Sequence, residues 1–370
     1  MVAACGNIVS DPVPLKEPPP RVAQELVLGA GLQGQLVDLA GRPVAGATVA
    51  VVPLHPDQSP EAVTSGLDGR FVFAQLPAAP VLLRCRVSGY YPDYAAVAVS
   101  PALDEIGSWT LVERAAGRCR LLLAGDTMFG RRFVDSDEDG LPGEAGDLIR
   151  PGHEAADATA LFDRIRPVMD CADFRVVNFE SPASLAEGSR HPYKRYSFSS
   201  HPATLAALQA LGIDAVSLGN NHTFDFLEPG RRDTEAAFAD AGIGWCGSGA
   251  SETQARDNLL EAQAGPVDLR LQGFNSIKPN NWWPNPDEPW ESDYWYYAID
   301  EPAAKGGALL LNGATIDDFF RRTAGSGALR LPMLHGGHEY GEYPSLYMRR
   351  MFVRAAEAGA TLIKAHPAHT

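Results

Sequence analysis

Between residues 28 and 115, apolar and polar positions alternate in short runs: LQGQLVDL, TVAVVPL, RFVFAQL, VLLRCRV and AAVAV. Period-two alternation turns one face of each run inward, which is the pattern of half-buried strands. Turn chemistry separates the runs, at Gly41-Arg42-Pro43, at Asp68-Gly69, between Pro77 and Pro80, and from Gly89 to Pro92. The pattern predicts a small antiparallel β-sandwich. Val44, Val49, Phe71 and Phe73 fill its core, and Gly46 and Gly69 supply turn geometry.

From Arg118 the pattern changes to apolar runs alternating with helical periodicity, the mark of a mixed α/β domain. Helices are predicted over 153–170, 202–211, 230–241, 314–324 and 344–358, and a glycine stands just past the end of the last four. The apolar runs all stop at polar groups: LLLAG at Asp126, FRVVNF at Glu180, AVSLG at Asn220-Asn221-His222, LRLPML at His335 and TLIKA at His366. In an open α/β sheet, ligands bind beyond the carboxyl ends of the strands, so these groups are aimed at one crevice. Oxygen and imidazole donors gathered there suit a divalent metal. A stretch at 276–300, rich in Trp and Pro, reads as a long loop that either stacks on a substrate or packs over the sheet edge.

Composition narrows the partners. The chain has 370 residues, 45% of them hydrophobic, and a formal net charge of −15. That length admits two domains with real cores, and the acidic balance argues against nucleic acid, which needs a basic face. No apolar run reaches the roughly 18 residues of a spanning helix. Cys85, Cys119, Cys171 and Cys246 are widely spaced in apolar or small-residue surroundings, so buried free thiols are expected ahead of a disulfide such as Cys85 with Cys119. Val2-Ala3-Ala4-Cys5 resembles the bacterial lipobox, as the tail of a signal peptide whose start is missing. Cys5 is then the site of lipid attachment, and residues 1–27 are lipobox remnant and Pro-rich tether to the cell envelope.

The residues GQLVDLAGRPVAGATVAVV, SGLDGRFVFAQLP and VSGYYP resemble the carboxypeptidase regulatory-like, or transthyretin-like, domain. That assigns residues 28–115 to one β-sandwich without a catalytic group; a spacer, a stability module and a ligand-binding module all remain open. The second domain, 118–370, resembles the CapA family of capsule and poly-γ-glutamate biosynthesis proteins. The resemblance rests on GDTMFGRR (125–132), VVNFESP (176–182), SLGNNHTFDF (217–226), LHGGHEYGEYPS (334–345) and GATLIKAHPAHT (359–370). It implies a calcineurin-like metallophosphatase fold, an α-β-β-α sandwich. It also implies further strands after Thr370, so the chain reads as truncated at its C-terminus.

What the resemblance implies for chemistry follows residue by residue. Asp126, Glu180, Asn221, His335, His366 and His369 are the expected metal ligands, converging on a common centre, with Glu180 or Asn178 where a bridging acid stands. His222, Asp126 and Glu180 are the expected catalytic groups, His222 giving a proton to the leaving group. Arg131, Asn178 and Glu339 are expected to meet substrate. Met128 stands where the wider superfamily has a His, so one ion, or two with the second weakly held, is expected; manganese, zinc, iron and magnesium fit equally. Asp135, Asp137 and Asp139, followed by Gly140, have the opening of a calcium loop, although its twelfth position is Gly146 rather than Glu. His153, His191 and His201 read as surface or helix-capping groups.

Two functions fit. One is a metal-dependent enzyme acting on an anionic polymer or a phosphoester, beside the capsule synthesis machinery at the membrane, with phosphoester and amide chemistry both open. The alternative is a catalytically silent polymer-binding or scaffold protein.

Overall fold

The computed structural model describes residues 31–53, 60–99, 104–192, 194, 196–277, 297–300, 304–337 and 343–366. Cys5, Glu339, His369 and most of the Trp-rich stretch lie outside them. The described residues fall into two compact units, one running to Leu83 and resuming over Ala95–Thr110, the other made of Arg84–Tyr94 and the chain from Leu111 on.

The first unit is built on β1 (Leu32–Val37), β2 (Thr48–Val52), β3 (Ala62–Thr64), β4 (Arg70–Phe73), most of β5 (Pro80–Arg86) and β6 (Asp93–Ala98), and β7 (Asp104–Thr110). They form two sheets, ordered β4-β1-β7 and β3-β2-β5-β6. Alternation does what the sequence implied: Val44, Val49, Phe71 and Phe73 are buried, and Phe71 meets Phe73 and Trp109 edge-on. Gly69 sits at φ +75 in a turn so tight that a Cβ would press on the Val44 amide. One expectation is corrected. The sandwich is not wholly antiparallel, because β7 runs parallel to β1. Its sequence, DEIGSWT, has too weak an alternation to be read as a strand.

The second unit has two sheets. The first joins β8 (Leu121–Thr127), β9 (Phe174–Phe179), β10 (Ala215–Ser217) and β11 (Gly244–Cys246), all parallel, in the order β11-β10-β9-β8. A short ladder, β12 (Ser248–Gly249) with β15 (Gly307–Ala308), stands apart. The second sheet joins β13 (Leu260–Ala264), β14 (Val267–Asn275), β16 (Leu329–His335) and β17 (Lys364–His366), with β13 antiparallel to β14 and the rest parallel.

Side-chain parity shows how the layers stack. Phe174 and Val176 of β9 pack with Leu269, Leu271, Leu331 and Met333, so the two sheets face each other. The opposite face of the first sheet, through Val177, Phe179 and Val216, meets helices α1 (Glu154–Ala160), α2 (Leu205–Ala210) and α3 (Leu227–Ala241). The outer face of the second sheet, through Phe274 and Leu334, meets α4 (Glu252–Asp257), α5 (Gly313–Arg322) and α6 (Leu346–Glu357). The result is helices, sheet, sheet, helices. Parallel strands buried on both faces in this way need the continuous apolar runs the sequence shows.

Local chemistry fixes the helix ends. Asn312 and Thr315 form a reciprocal capping box on α5, and Ser345 caps α6. Gly242 closes α3 in the left-handed region, where a side chain would be strained. The helix expected over 153–170 is instead two pieces, α1 and a 3-10 turn over Arg166–Cys171. Pro167 bars one unbroken helix over this span, because it has no N–H to give to Asp163, and it is accommodated in the first turn of the second piece.

At one place the facing sheets of the second unit approach backbone to backbone. A Cβ on Gly247 would lie 2.8 Å from both the Gly219 nitrogen and the Gly273 Cα, and one on Gly273 would lie 2.5 Å from Ser217 Oγ. Only bare main chain fits there. This contact lies beside the ends of the strands that carry the candidate site.

Candidate metal centre

The site lies between the two sheets, at the carboxyl ends of their parallel strands. Asp126 reaches it through an irregularity in β8. Leu123 pairs with Val176, yet Asp126 pairs with Asn178, so β8 carries one more residue than β9 over this span. Without that bulge, strict alternation would turn Asp126 to the side of Ala124, which packs under the helices. With it, the carboxylate faces the second sheet. There, Asn275, His335 and His366 sit side by side in register across β14, β16 and β17.

Three groups converge. The Asp126, His335 and His366 ligand atoms lie within 4.8 Å of one another. His366 Nδ1 is 2.8 Å from Asp126 Oδ1, the two histidine Nδ1 atoms are 2.7 Å apart, and His335 Nδ1 is 3.8 Å from Asp126 Oδ1. His335 is fully buried, while the Asp126 side chain, 21% exposed, opens the site to solvent. Asn178, also fully buried, donates to Asp126 Oδ1 at 2.7 Å. Burial alone would oppose ionisation of Asp126, but the His366 hydrogen bond, the neighbouring imidazoles and the Asn178 amide outweigh it and hold its carboxyl below the usual range. Burial lowers the His366 pKa as well, to about 3, so its ring is neutral.

This donor set fits a divalent ion. Two imidazole nitrogens and a carboxylate oxygen all turn lone pairs to one point, and a single ring proton can satisfy only one of those contacts. The separations are those of ligands about 2.1 Å from a common ion. His366 Nε2 is buried without a hydrogen-bond partner, so its ring takes its orientation from the Nδ1 side.

The other expected ligands lie across the His335 ring. His335 Nε2 is 2.8 Å from Asn221 Oδ1 and 3.4 Å from Glu180 Oε1. One imidazole points its two nitrogens in different directions, so the expected single convergence becomes two groups that share His335. Nε2–H donated to the Asn221 amide oxygen leaves the lone pair on Nδ1, the nitrogen that faces Asp126 and His366, a common way of fixing a ligand's tautomer. Asn220 builds this side: it donates to the Phe179 carbonyl at 2.8 Å and accepts from the His222 amide at 3.0 Å.

His222 is held from behind. Its Nδ1 lies 2.7 Å from Asp225 Oδ2 and 3.1 Å from Lys194 Nζ, its ring stacks on Phe198 at 3.6 Å, and Nε2 faces Glu180 at 3.8 Å. Lys194 also pairs with Asp225 and donates to the Asn221 carbonyl at 2.7 Å. Burial lowers both the His222 and Lys194 pKa values, against the pull of Asp225. Sequence reasoning missed Lys194, Asp225 and Phe198. The one signal was Asp225, spaced three residues after His222.

Two of the expected substrate contacts, Asn178 and Arg131, have these surroundings. Asn178 has no exposed surface, and its amide goes to Asp126 and His335, because it lies between the sheets rather than at the rim. Arg131, at φ +52, gives its guanidinium to Glu138 and lies 5.2 Å over the Phe198 ring. The Asp135, Asp137 and Asp139 carboxylates also come within 4.8 Å of one another, on a surface loop where Asp135 accepts backbone bonds from Asp139 and Gly140.

Residues 120–370 match the sequence model of the bacterial capsule synthesis protein PGA_cap. The chain belongs to this family. Residues 31–109 match the carboxypeptidase regulatory-like domain. Among curated proteins, the PGA biosynthesis protein CapA of Bacillus subtilis is 19% identical, over 60% of this chain and 54% of its own length. The capsule biosynthesis protein CapA of Bacillus anthracis is 22% identical, over 56% and 48%. A probable polyglutamine synthesis accessory protein of Mycobacterium tuberculosis is 27% identical, over 53% and 50%. The chain thus spans about half the length of these relatives.

Proposed function

We propose that this PGA_cap family member is a cell-envelope enzyme of capsule or poly-γ-glutamate biosynthesis. Its second unit works as a calcineurin-like, metal-dependent hydrolase or transferase on a phosphoester or amide of an anionic polymer. The convergence of Asp126, His335 and His366 from facing sheets carries this reading, and the roles of the relatives in PGA and capsule biosynthesis suggest the substrate class. A bound divalent ion supplies Lewis acidity and water of lowered pKa.

The chain's own residues do the rest. Asn178 and Asn221 set the donor atoms of Asp126 and His335. Asp225 holds Nδ1 of the His222 ring at 2.7 Å, nearer than Lys194 at 3.1 Å, so Nε2 is the nitrogen turned toward the site for proton exchange with a leaving group. Capsule machinery at the membrane is the proposed partner. No helix among the described residues is long and apolar enough to cross a membrane, and lipid on Cys5 is the proposed attachment.

The test is metal content of the purified protein after Mn²⁺ or Zn²⁺ loading, with hydrolysis of a generic phosphodiester and of poly-γ-glutamate. Bound metal with turnover, both lost in His335→Ala, is the expected result. Polymer binding without turnover would instead favour the scaffold reading. Ca²⁺ titration of the same sample reads the Asp135, Asp137, Asp139 loop.

A further inference from the structure

Lys364 is out of place. On β17 it shares a face with His366 and pairs in register with Met333, which packs in the apolar layer between the sheets. Its residue is 7% exposed, and its Nζ is buried with no hydrogen-bond partner. An unpaired ammonium in an apolar layer is costly, and a methionine or leucine would pack there without that cost. Asp126 is the nearby carboxylate, yet its hydrogen bonds are with Asn178 and His366. The ammonium therefore acts on the centre through its field, one pleat below His366.

We propose that Lys364 is a built-in cation of the metal centre, which weakens the hold on a divalent ion and keeps a second ion out. This rests on the metal reading of Asp126, His335 and His366. The centre has one carboxylate on its Nδ1 side, so a divalent ion already leaves excess positive charge there. Lys364 adds to that excess, in a layer where charges interact far more strongly than in water. The site then holds its ion loosely and exchanges it readily.

Lys364→Met keeps length and volume while removing the charge, and it folds at least as stably because a buried unpaired charge is lost. Calorimetric titration of wild type and K364M with Mn²⁺, beside metal content after dialysis and thermal melting, tests the assignment. Wild type should bind one ion per chain, and K364M should bind about tenfold more tightly with an unchanged or higher melting temperature. Binding in K364M alone would support the same conclusion. Equal affinities, or two ions in wild type, would overturn the role of Lys364 and leave the metal centre standing. Binding in neither protein would overturn both.

Discussion

Burial pushes the His191 imidazole down to about 4, with the Lys194 charge adding to the effect and Asp225 opposing it. The residue is 5% exposed, so it was misread as a surface group; His201, by contrast, does cap a helix turn, accepting from the Ala203 amide at 3.1 Å. Because the folded state binds this proton less well than the unfolded chain, stability is fully present above about 6.5. It falls as pH drops from there through 4, by about 3 kcal/mol at most. Urea midpoints measured between pH 7 and pH 4 should show that loss, and His191→Gln should flatten it. Asn178→Ala should cost about 1–3 kcal/mol and weaken metal binding, because Asp126 loses its amide and His335 a neighbour. At this scale the sequence was informative where a polar residue ended an apolar run, as at Asp126, His335 and His366. It was silent on Lys194 and Phe198, which come from a stretch without periodicity. Lys364 was hidden inside the apolar run TLIKA.

At the scale of elements, the bulge in β8 decides whether Asp126 belongs to the site at all. A Cβ at Gly125 would meet nothing within 4 Å, so this position is not packed. Deleting Gly125 should remove the extra residue and restore strict alternation with Asp126 still opposite Asn178 and on the face of Leu123, so the carboxylate should keep facing the second sheet. The expected outcome is a folded protein, by circular dichroism and melting, that still takes up Mn²⁺; lost uptake would show that the bulge does more than choose the face of Asp126. Alternation read from sequence counts positions and cannot see an extra residue in a ladder, which is why the strand was legible and its aim was not. The same limit explains α4 and β3, which are too short to show a period. Helix α3 starts at Leu227 rather than 230 because Pro229 is tolerated in a first turn.

For the second unit as a whole, a donor set split between two sheets makes a bound ion a link between layers. His335 and His366 come from one sheet and Asp126 from the other. An ion that binds only the folded state at about a hundred times its dissociation constant adds about 2.7 kcal/mol of stability. Mn²⁺ should therefore raise the melting temperature of wild type and leave His335→Ala unmoved, and chelation should reverse the gain. The layer order was legible because runs such as FRVVNF and LRLPML are apolar on both faces. The close approach of the sheets was not, since Gly219, Gly247 and Gly273 read as ordinary turn and strand glycines. Yet that approach governs how the site ages under mutation. The gap between the layers is gauged there by main-chain atoms, which ordinary substitution cannot alter, so drift among the apolar residues can soften or stiffen the unit without resetting the distance from Asp126 to His335. A lone methyl group at Gly219 can, because it would meet only main chain, the Gly273 carbonyl carbon at 2.4 Å and the Phe274 nitrogen at 2.5 Å, and no rotamer change will absorb it.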